Sequence, residues 1–295
     1  MWAGSVAHML IRVVSVSPQP PPESFLSLLP SRDQRLEQTT EHGHVVSVLF
    51  EHDNPEGLRR ELRAAAGELA VAVITGPLAT SPAGLILLDV DSTFTTTEAV
   101  DLLAEYAGAG DRVAAITERA MRGEMDFAES LRERVSTLAG LPLSVMEEVG
   151  ERMTLSPGAE ELVHAAHTVG TLVGVTSGGF TQLVRPMAER HGLDFCNANE
   201  LGTHVVDGVE RLTGEVVGPI VDKDQKARDL ARFSAEHDVD PRLCVAVGDG
   251  ANDLAMLAAA GLGIAYCPKP VTAAEAAVAI NFPRLDAVIA FALTR

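Results

Sequence analysis

A chain of 295 residues has room for one large or two modest domains, and 46% hydrophobic content allows a sizeable core, aliphatic because aromatics are only 4%. A net charge of −18 argues against nonspecific nucleic-acid binding, which needs clustered Lys and Arg, so an anionic ligand must be held by a few local cations. Cys196, Cys244 and Cys267 form no CxxC pair, which argues against structural zinc and fits a reducing, cytoplasmic compartment.

The apolar stretch Val6 to Val14 is interrupted by His8 and Arg12 and follows no basic segment. It is shorter than the roughly 20 apolar residues that a membrane span needs, so no membrane association is expected, and it reads as a strand or a disordered start. Pro18, Pro20, Pro21 and Pro22 then mark a loop. Residues 44–50 read as a strand, Pro55 to Leu69 as a helix and Ala70 to Thr75 as a strand. This β-α-β fragment predicts a small N-terminal α/β domain over residues 1–80, closed by the Gly76–Pro82 linker. It carries no visible chemistry, and packing or homodimer formation is a simpler expectation than regulatory amino-acid binding.

Leu85 to Leu88 reads as a buried strand that opens a second domain, residues 81–295. Residues 98–152 are helical throughout and predict an insertion projecting over one end of a sheet. Alternation then resumes: a helix from Pro157 to Val169 stopped by Gly170, a strand from Thr171 to Thr176, and an Asp207-Gly208 hairpin. A helix from Asp222 to His237, an apolar strand Leu243 to Val247, a helix from Asn252 to Ala260 and a strand Gly263 to Tyr266 complete the pattern. The expected fold is α/β, a Rossmann-like parallel sheet with right-handed crossovers.

Two acidic runs stand directly after apolar strands: Asp89-Val90-Asp91-Ser92-Thr93 and Gly248-Asp249-Gly250-Ala251-Asn252-Asp253. Unpaired carboxylates there cost several kcal/mol each by the usual rough figures, so a positive charge belongs between them. A hard cation such as Mg²⁺ suits an all-oxygen set. The second run also mimics the start of GxGxxG, but Asp253 replaces the last glycine. Ser177-Gly178-Gly179 follows a strand, where a hydroxyl and close backbone N–H groups suit phosphate oxygens; in isolation such a run is an ordinary turn. Asn252 and Asp253 also suit helix capping. His164 and His167 share a helix face without a third ligand and read as surface residues.

Asp-x-Asp-Ser-Thr and Gly-Asp-Gly-Ala-Asn-Asp resemble the first and fourth motifs of the haloacid-dehalogenase superfamily, and from about Gly84 onward the chain resembles its phosphoserine phosphatase family. That resemblance implies a haloacid-dehalogenase-like core, with the helical insertion as a cap that closes over the substrate. It implies Asp89 as a nucleophile forming an aspartyl-phosphate and Asp91 as the acid and base. It implies Mg²⁺ held by Asp89, Asp91 through its backbone carbonyl, and Asp249, with Asp253 supporting from behind and Asn252 touching substrate. Ser177 and Gly178 fall in the second motif. Lys226 precedes Asp249 by a spacing similar to the family's and is favoured over Lys223 as the phosphate cation. Phe127 and Arg134, two turns apart on one helix face, would with Glu98 read an amino-acid backbone. The implied activity is hydrolysis of O-phospho-L-serine to L-serine, the last step of serine biosynthesis. The alternatives are a phosphatase for another phosphorylated amino acid, or a serine-responsive regulatory protein with a vestigial site.

Overall fold

The computed structural model describes residues 8–40 and 43–293. β1 (Met9–Ser17), α1 (Glu23–Leu26), β2 (Leu36–Thr40), β3 (Gly43–His52), α2 (Pro55–Ala66) and β4 (Ala70–Ile74) form the N-terminal unit. Its antiparallel sheet has the order β2-β3-β1-β4, so β3-α2-β4 is the expected β-α-β fragment with β1 inserted between its strands. Asn54 caps α2 by accepting from the Gly57 amide at 2.9 Å, and Pro55 occupies the first turn, where a missing N–H costs nothing. Val6 and Ala7, part of the first apolar stretch, lie outside the described residues. β2 was not expected: its mostly exposed Leu-Glu-Gln-Thr-Thr carries no alternation.

Both faces of this sheet are apolar. Ile11, Val13, Val46 and Val73 pack with Phe25, Leu58 and Leu62 of the two helices. Val14, Val16, Val45, Ala72 and Ile74, on the opposite face, belong to one cluster with Ile86, Leu88, Leu285 and Phe291 of the larger unit. The Gly76–Pro82 segment is therefore no free linker: Gly76–Ala79 forms a 3₁₀ turn with Leu78 and Ala79 buried. Arg12, 1% exposed, donates to the Leu78 carbonyl at 3.0 Å and the Phe291 carbonyl at 3.1 Å. A guanidinium in a core requires such acceptors.

In the larger unit β5 (Leu85–Leu88) leads into α3 (Ala99–Tyr106), α4 (Gly110–Met121), α5 (Phe127–Ser136) and α6 (Val145–Arg152). These four are the expected cap, and a Thr95–Leu155 bridge joins its two stems. The chain continues through α7 (Ala159–Thr168), β6 (Leu172–Phe180), α8 (Thr181–Arg190), β7 (Phe195–Val206), β8 (Val209–Val217) and α9 (Lys223–Glu236). It closes with β9 (Cys244–Gly248), α10 (Leu254–Ala259), β10 (Leu262–Tyr266), α11 (Pro270–Glu275), β11 (Val278–Ile280) and α12 (Val288–Ala292). The sheet order is β11-β10-β9-β5-β6-β7-β8, parallel except for the β7–β8 hairpin. That hairpin turns at Asp207 and Gly208, both with positive φ. From β5 the chain moves outward through β6 and β7, then returns to β5's other side with β9. The reversal opens a crevice at the carboxyl ends of β5 and β9, where both acidic runs stand. Among the described residues no helix is long and apolar enough to cross a membrane.

A chain begun at Ser81 would strip the Val14 and Val16 face from Leu285 and Phe291. We expect it to aggregate in size-exclusion chromatography; a soluble monomer with a cooperative melt would show instead that the first sheet is a removable appendage.

Candidate active site

At the end of β5, the Asp89 amide donates to the Val247 carbonyl of β9 at 2.9 Å, which fixes the switch point. The backbone then makes one wide turn, Val90–Phe94, in which the Val90 amide donates to Asp89 Oδ1 at 2.7 Å and Ser92 takes φ 59°. A positive φ at a residue with a Cβ is strained, and the Ser92 hydroxyl is held there by donating to Glu98 Oε1 at 3.0 Å. The turn brings Asp91 Oδ1 within 3.0 Å of the Ala99 amide, the first residue of α3, so the cap's opening helix grips this carboxylate.

Lys226 reaches the same point from α9. Its ammonium, 1% exposed, lies 2.7 Å from Asp89 Oδ1 and 2.7 Å from Asp253 Oδ1. Asp253 Oδ2 in turn accepts from the Gly250 amide at 3.0 Å, so both of its oxygens are engaged. Lys223 is exposed at the start of α9, which decides between the two lysines. Burial works against the Lys226 ammonium, but Asp89 and Asp253 outweigh it and raise its pKa above the usual lysine value.

Ser177, Gly178 and Gly179 form an irregularity of β6 rather than a turn after it. Thr176 pairs with Asn197 and Phe180 with Asn199, so three residues of β6 face Ala198 alone. The Gly179 amide donates to the Ser177 hydroxyl at 2.8 Å. A Cβ on Gly179 would sit 3.2 Å from Asp91 Oδ2, and one on Gly178 would sit 3.1 Å from the Phe127 ring, so glycine is what lets this backbone close on the acid and on the cap.

These elements surround a cavity of about 270 Å³. Asp89, Asp91, Glu98, Phe127, Arg134, Gly178, Asp249 and Asn252 line it, while Ser177, Lys226 and Asp253 are buried around it. The strand-end carboxylates, Lys226, the Ser177–Gly178 segment, Asn252 and the cap residues Glu98, Phe127 and Arg134 are thus brought to one place. A larger groove of about 600 Å³ between α6 and α8 holds none of the strand-end carboxylates. Burial, with the nearby Glu98 charge, pushes the Asp91 carboxyl up to about 7. Burial also raises Asp89, opposed by Lys226, and Asp249, opposed by Lys269. Arg134 makes no ion pair among the described residues; its Nε donates only to the Ser130 carbonyl at 3.4 Å, and burial lowers its pKa against the pull of Glu98.

Asp89, Asp249 and Asp253 each offer an oxygen within 4.8 Å of the others. With Asp253 committed to Lys226 and Gly250, Asp89 and Asp249 keep oxygens to spare, and burial penalises both as anions. Hard oxygen donors under that penalty fit a divalent cation.

Two contributors escaped the sequence reading. Lys269 lines the cavity with its ammonium 3.4 Å from Asp249 Oδ2, and its placement between Pro268 and Pro270 just after a strand is the signal that marks it. Asn199, fully buried, donates to the Gly178 carbonyl at 2.8 Å, and no local pattern announces it.

The haloacid dehalogenase-like hydrolase family model matches residues 86–258. The chain belongs to the haloacid dehalogenase-like hydrolases. Within them it is 49% identical over 226 residues to a phosphoserine phosphatase of Mycobacterium tuberculosis, a match covering 77% of this chain and 54% of that protein. The chain thus spans about half the length of that relative. It is 48% identical over 206 residues to a phosphoserine phosphatase of Streptococcus thermophilus, covering 70% of this chain and 94% of that protein. A solved hydrolase of the same family from Salmonella enterica serovar Typhi superposes with a TM-score of 0.84 at 27% identity, over 97% of this chain and 99% of that one, so the N-terminal sheet is shared as well.

For a hydrolase of this family, Lys226→Met would leave Asp89 and Asp253 buried without their cation. The expected loss is about 3–5 kcal/mol in urea unfolding, partly recovered by adding Asp253→Asn; an unchanged midpoint would mean the carboxylates are neutral in the resting protein.

Proposed function

We propose that the chain is a Mg²⁺-dependent phosphoserine phosphatase that hydrolyses O-phospho-L-serine to L-serine and phosphate in the cytoplasm, as the last step of serine biosynthesis. The observation that carries this reading is that Arg134, with no ion pair among the described residues, and Glu98 line the same cavity as Asp89, the carboxylate held by Lys226. A phosphate would sit by Asp89, the substrate carboxylate by the planar fork of Arg134, and its ammonium by Glu98. Phe127 supplies an apolar wall. Relatives named as phosphoserine phosphatases support the reading.

Asp89 attacks phosphorus and becomes an aspartyl-phosphate while the serine oxygen leaves. Asp91, whose carboxyl at about 7 holds a proton in part of the population near neutrality, gives that proton to the leaving oxygen. It then takes one from water, which attacks the same phosphorus and returns Asp89 as a carboxylate. Lys226 balances the nucleophile's charge, and Ser177, Gly178 and Asn252 position the phosphoryl oxygens. Mg²⁺ held by Asp89, Asp249 and the Asp91 carbonyl would supply the charge that lets two anions meet, with Asp253 orienting Lys226 from behind. Among the described residues the N-terminal unit contributes no side chain to the cavity, and the partner of this chemistry is the small-molecule substrate.

Phosphate release from a panel of phosphoserine, phosphothreonine, phosphohomoserine and phosphoethanolamine, with and without Mg²⁺, tests the assignment; phosphoserine with Mg²⁺ should lead. Asp89→Asn should abolish turnover with an unchanged melt, because the amide is nearly isosteric but a poor nucleophile. Wild-type-like turnover in that variant would sink the covalent route.

Arg134→Ala should lower kcat/KM for phosphoserine by roughly tenfold to two-hundredfold, the equivalent of about 1.5 to 3 kcal/mol for a charge-assisted bond. Phosphoethanolamine, which lacks the carboxylate, should change little. Equal losses on both substrates would mean that Arg134 supports the cap instead of reading the carboxylate.

A further inference from the structure

A carboxylate outside the reaction centre joins the lysine helix to the irregular turn of β6. Asp229 is fully buried on α9, one helical turn beyond Lys226. Its Oδ2 accepts from the Thr176 hydroxyl and the Asn197 amide, both at 2.7 Å, and its Oδ1 from the Gln225 amide at 2.9 Å. Arg232 lies 3.3 Å from Oδ1 on the solvent side. Only donors face it, so an acceptor on both sides is what this place requires, and an amide would set N–H against N–H.

The donors are placed with purpose in the sheet. Thr176 directly precedes Ser177, and Thr176 and Asn197 are register partners on adjacent strands, so both side chains rise on one face to the same oxygen. The three-against-one irregularity follows immediately. Two residues beyond Asn197, Asn199 closes its far end: it donates to the Gly178 carbonyl and accepts from the Val221 amide, each at 2.8 Å, just ahead of α9. A bulged segment has lost its ladder bonds to the neighbouring strand and is soft unless side chains replace them. Here Asn199 of β7 does so through the Gly178 carbonyl, and the two asparagines also bind the lysine helix and its approach, Asn197 through Asp229 and Asn199 through the Val221 amide.

We propose that the Asp229, Thr176 and Asn197 cluster is a positioning device that sets the distance between the Lys226 ammonium and the Ser177–Gly179 backbone, so that both aim at one phosphoryl group. The inference rests on the phosphatase reading of the cavity. Asp89 and Asp253 fix the head of Lys226; Asp229 fixes the helix it grows from. None of the cluster's side chains lines the cavity, so its effect falls on the rate of transfer and not on substrate capture. Misplacement of reacting groups by about 1 Å costs on the order of a hundredfold in rate.

Asp229→Asn sets a donor among donors, Thr176→Val removes the hydroxyl at constant size, and Thr176→Ser restores it. Assayed well below each melting temperature, the first two should lose roughly tenfold to a hundredfold in kcat with KM within about threefold, while Thr176→Ser stays within about threefold of wild type. Affinity for beryllium fluoride, a phosphoryl mimic, measured calorimetrically in Mg²⁺ should fall in parallel while Mg²⁺ affinity holds. Variants that merely melt earlier, keeping wild-type kcat and beryllium fluoride affinity, would overturn the inference. A wild-type protein inert toward phosphoserine would sink the substrate reading alone, and the beryllium fluoride affinities would still decide the role of the cluster.

Discussion

One buried ammonium organises the carboxylates of this fold. Lys226 comes from a helix remote in sequence from both partners, yet it ends between Asp89 after β5 and Asp253 before α10. Without it two anions would face each other in a core that excludes water, and the desolvation of each would have no offset. The triad also shares out the oxygens. Asp253 spends both of its own on Lys226 and Gly250, and Asp89 and Asp249 are left facing the cavity with burial raising both carboxyls. A site that makes its acids costly as anions is one that a cation relieves.

The sheet topology explains why these groups meet. Parallel strands that diverge from β5 leave their carboxyl ends unblocked at one point, and the first and fourth motifs occupy the two strands that border it. Over that point the cap contributes side chains of a different kind: an aromatic ring and a guanidinium on α5 that makes no ion pair among the described residues, with Glu98 at the cap's entrance. The core thus brings carboxylates and a buried lysine to the cavity, and the cap brings an aromatic ring and a guanidinium. In a chain with a net charge of −18, Arg134 and Lys269 line this one cavity and Lys226 is buried beside it.

Much of this was legible in the residue order because the chemistry lies in short runs at strand ends. Asp89, Asp91, Asp249 and Asp253 fall in two such runs, and Lys226 was reached by its spacing from the second. What escaped depends on contacts between distant segments. Asn199 binds Gly178 and Val221, and Asp229 binds Thr176 and Asn197, pairings separated by about twenty to fifty residues with no periodicity to announce them. Lys226 and Asp229 look alike as polar residues of one helix until the strand beneath them is known. The first sheet was half legible: residues 11–17 of β1 are all buried, as a strand covered on both faces should be, but Arg12 and Ser15 interrupt the apolar run that would have revealed it.

Arg12 carries a consequence for the order in which the protein can be made. One of its acceptors, the Phe291 carbonyl, lies 279 residues downstream. A ribosome adding about 5 to 20 residues per second delivers that partner on the order of 15 to 55 s after β1 has emerged. Through that interval the Val14 and Val16 face of the nascent sheet has no cover from α12, and a guanidinium destined for the core stands among aliphatic side chains. A charge on an open sheet face opposes pairing with another chain, so Arg12 stands where such opposition acts until α12 arrives.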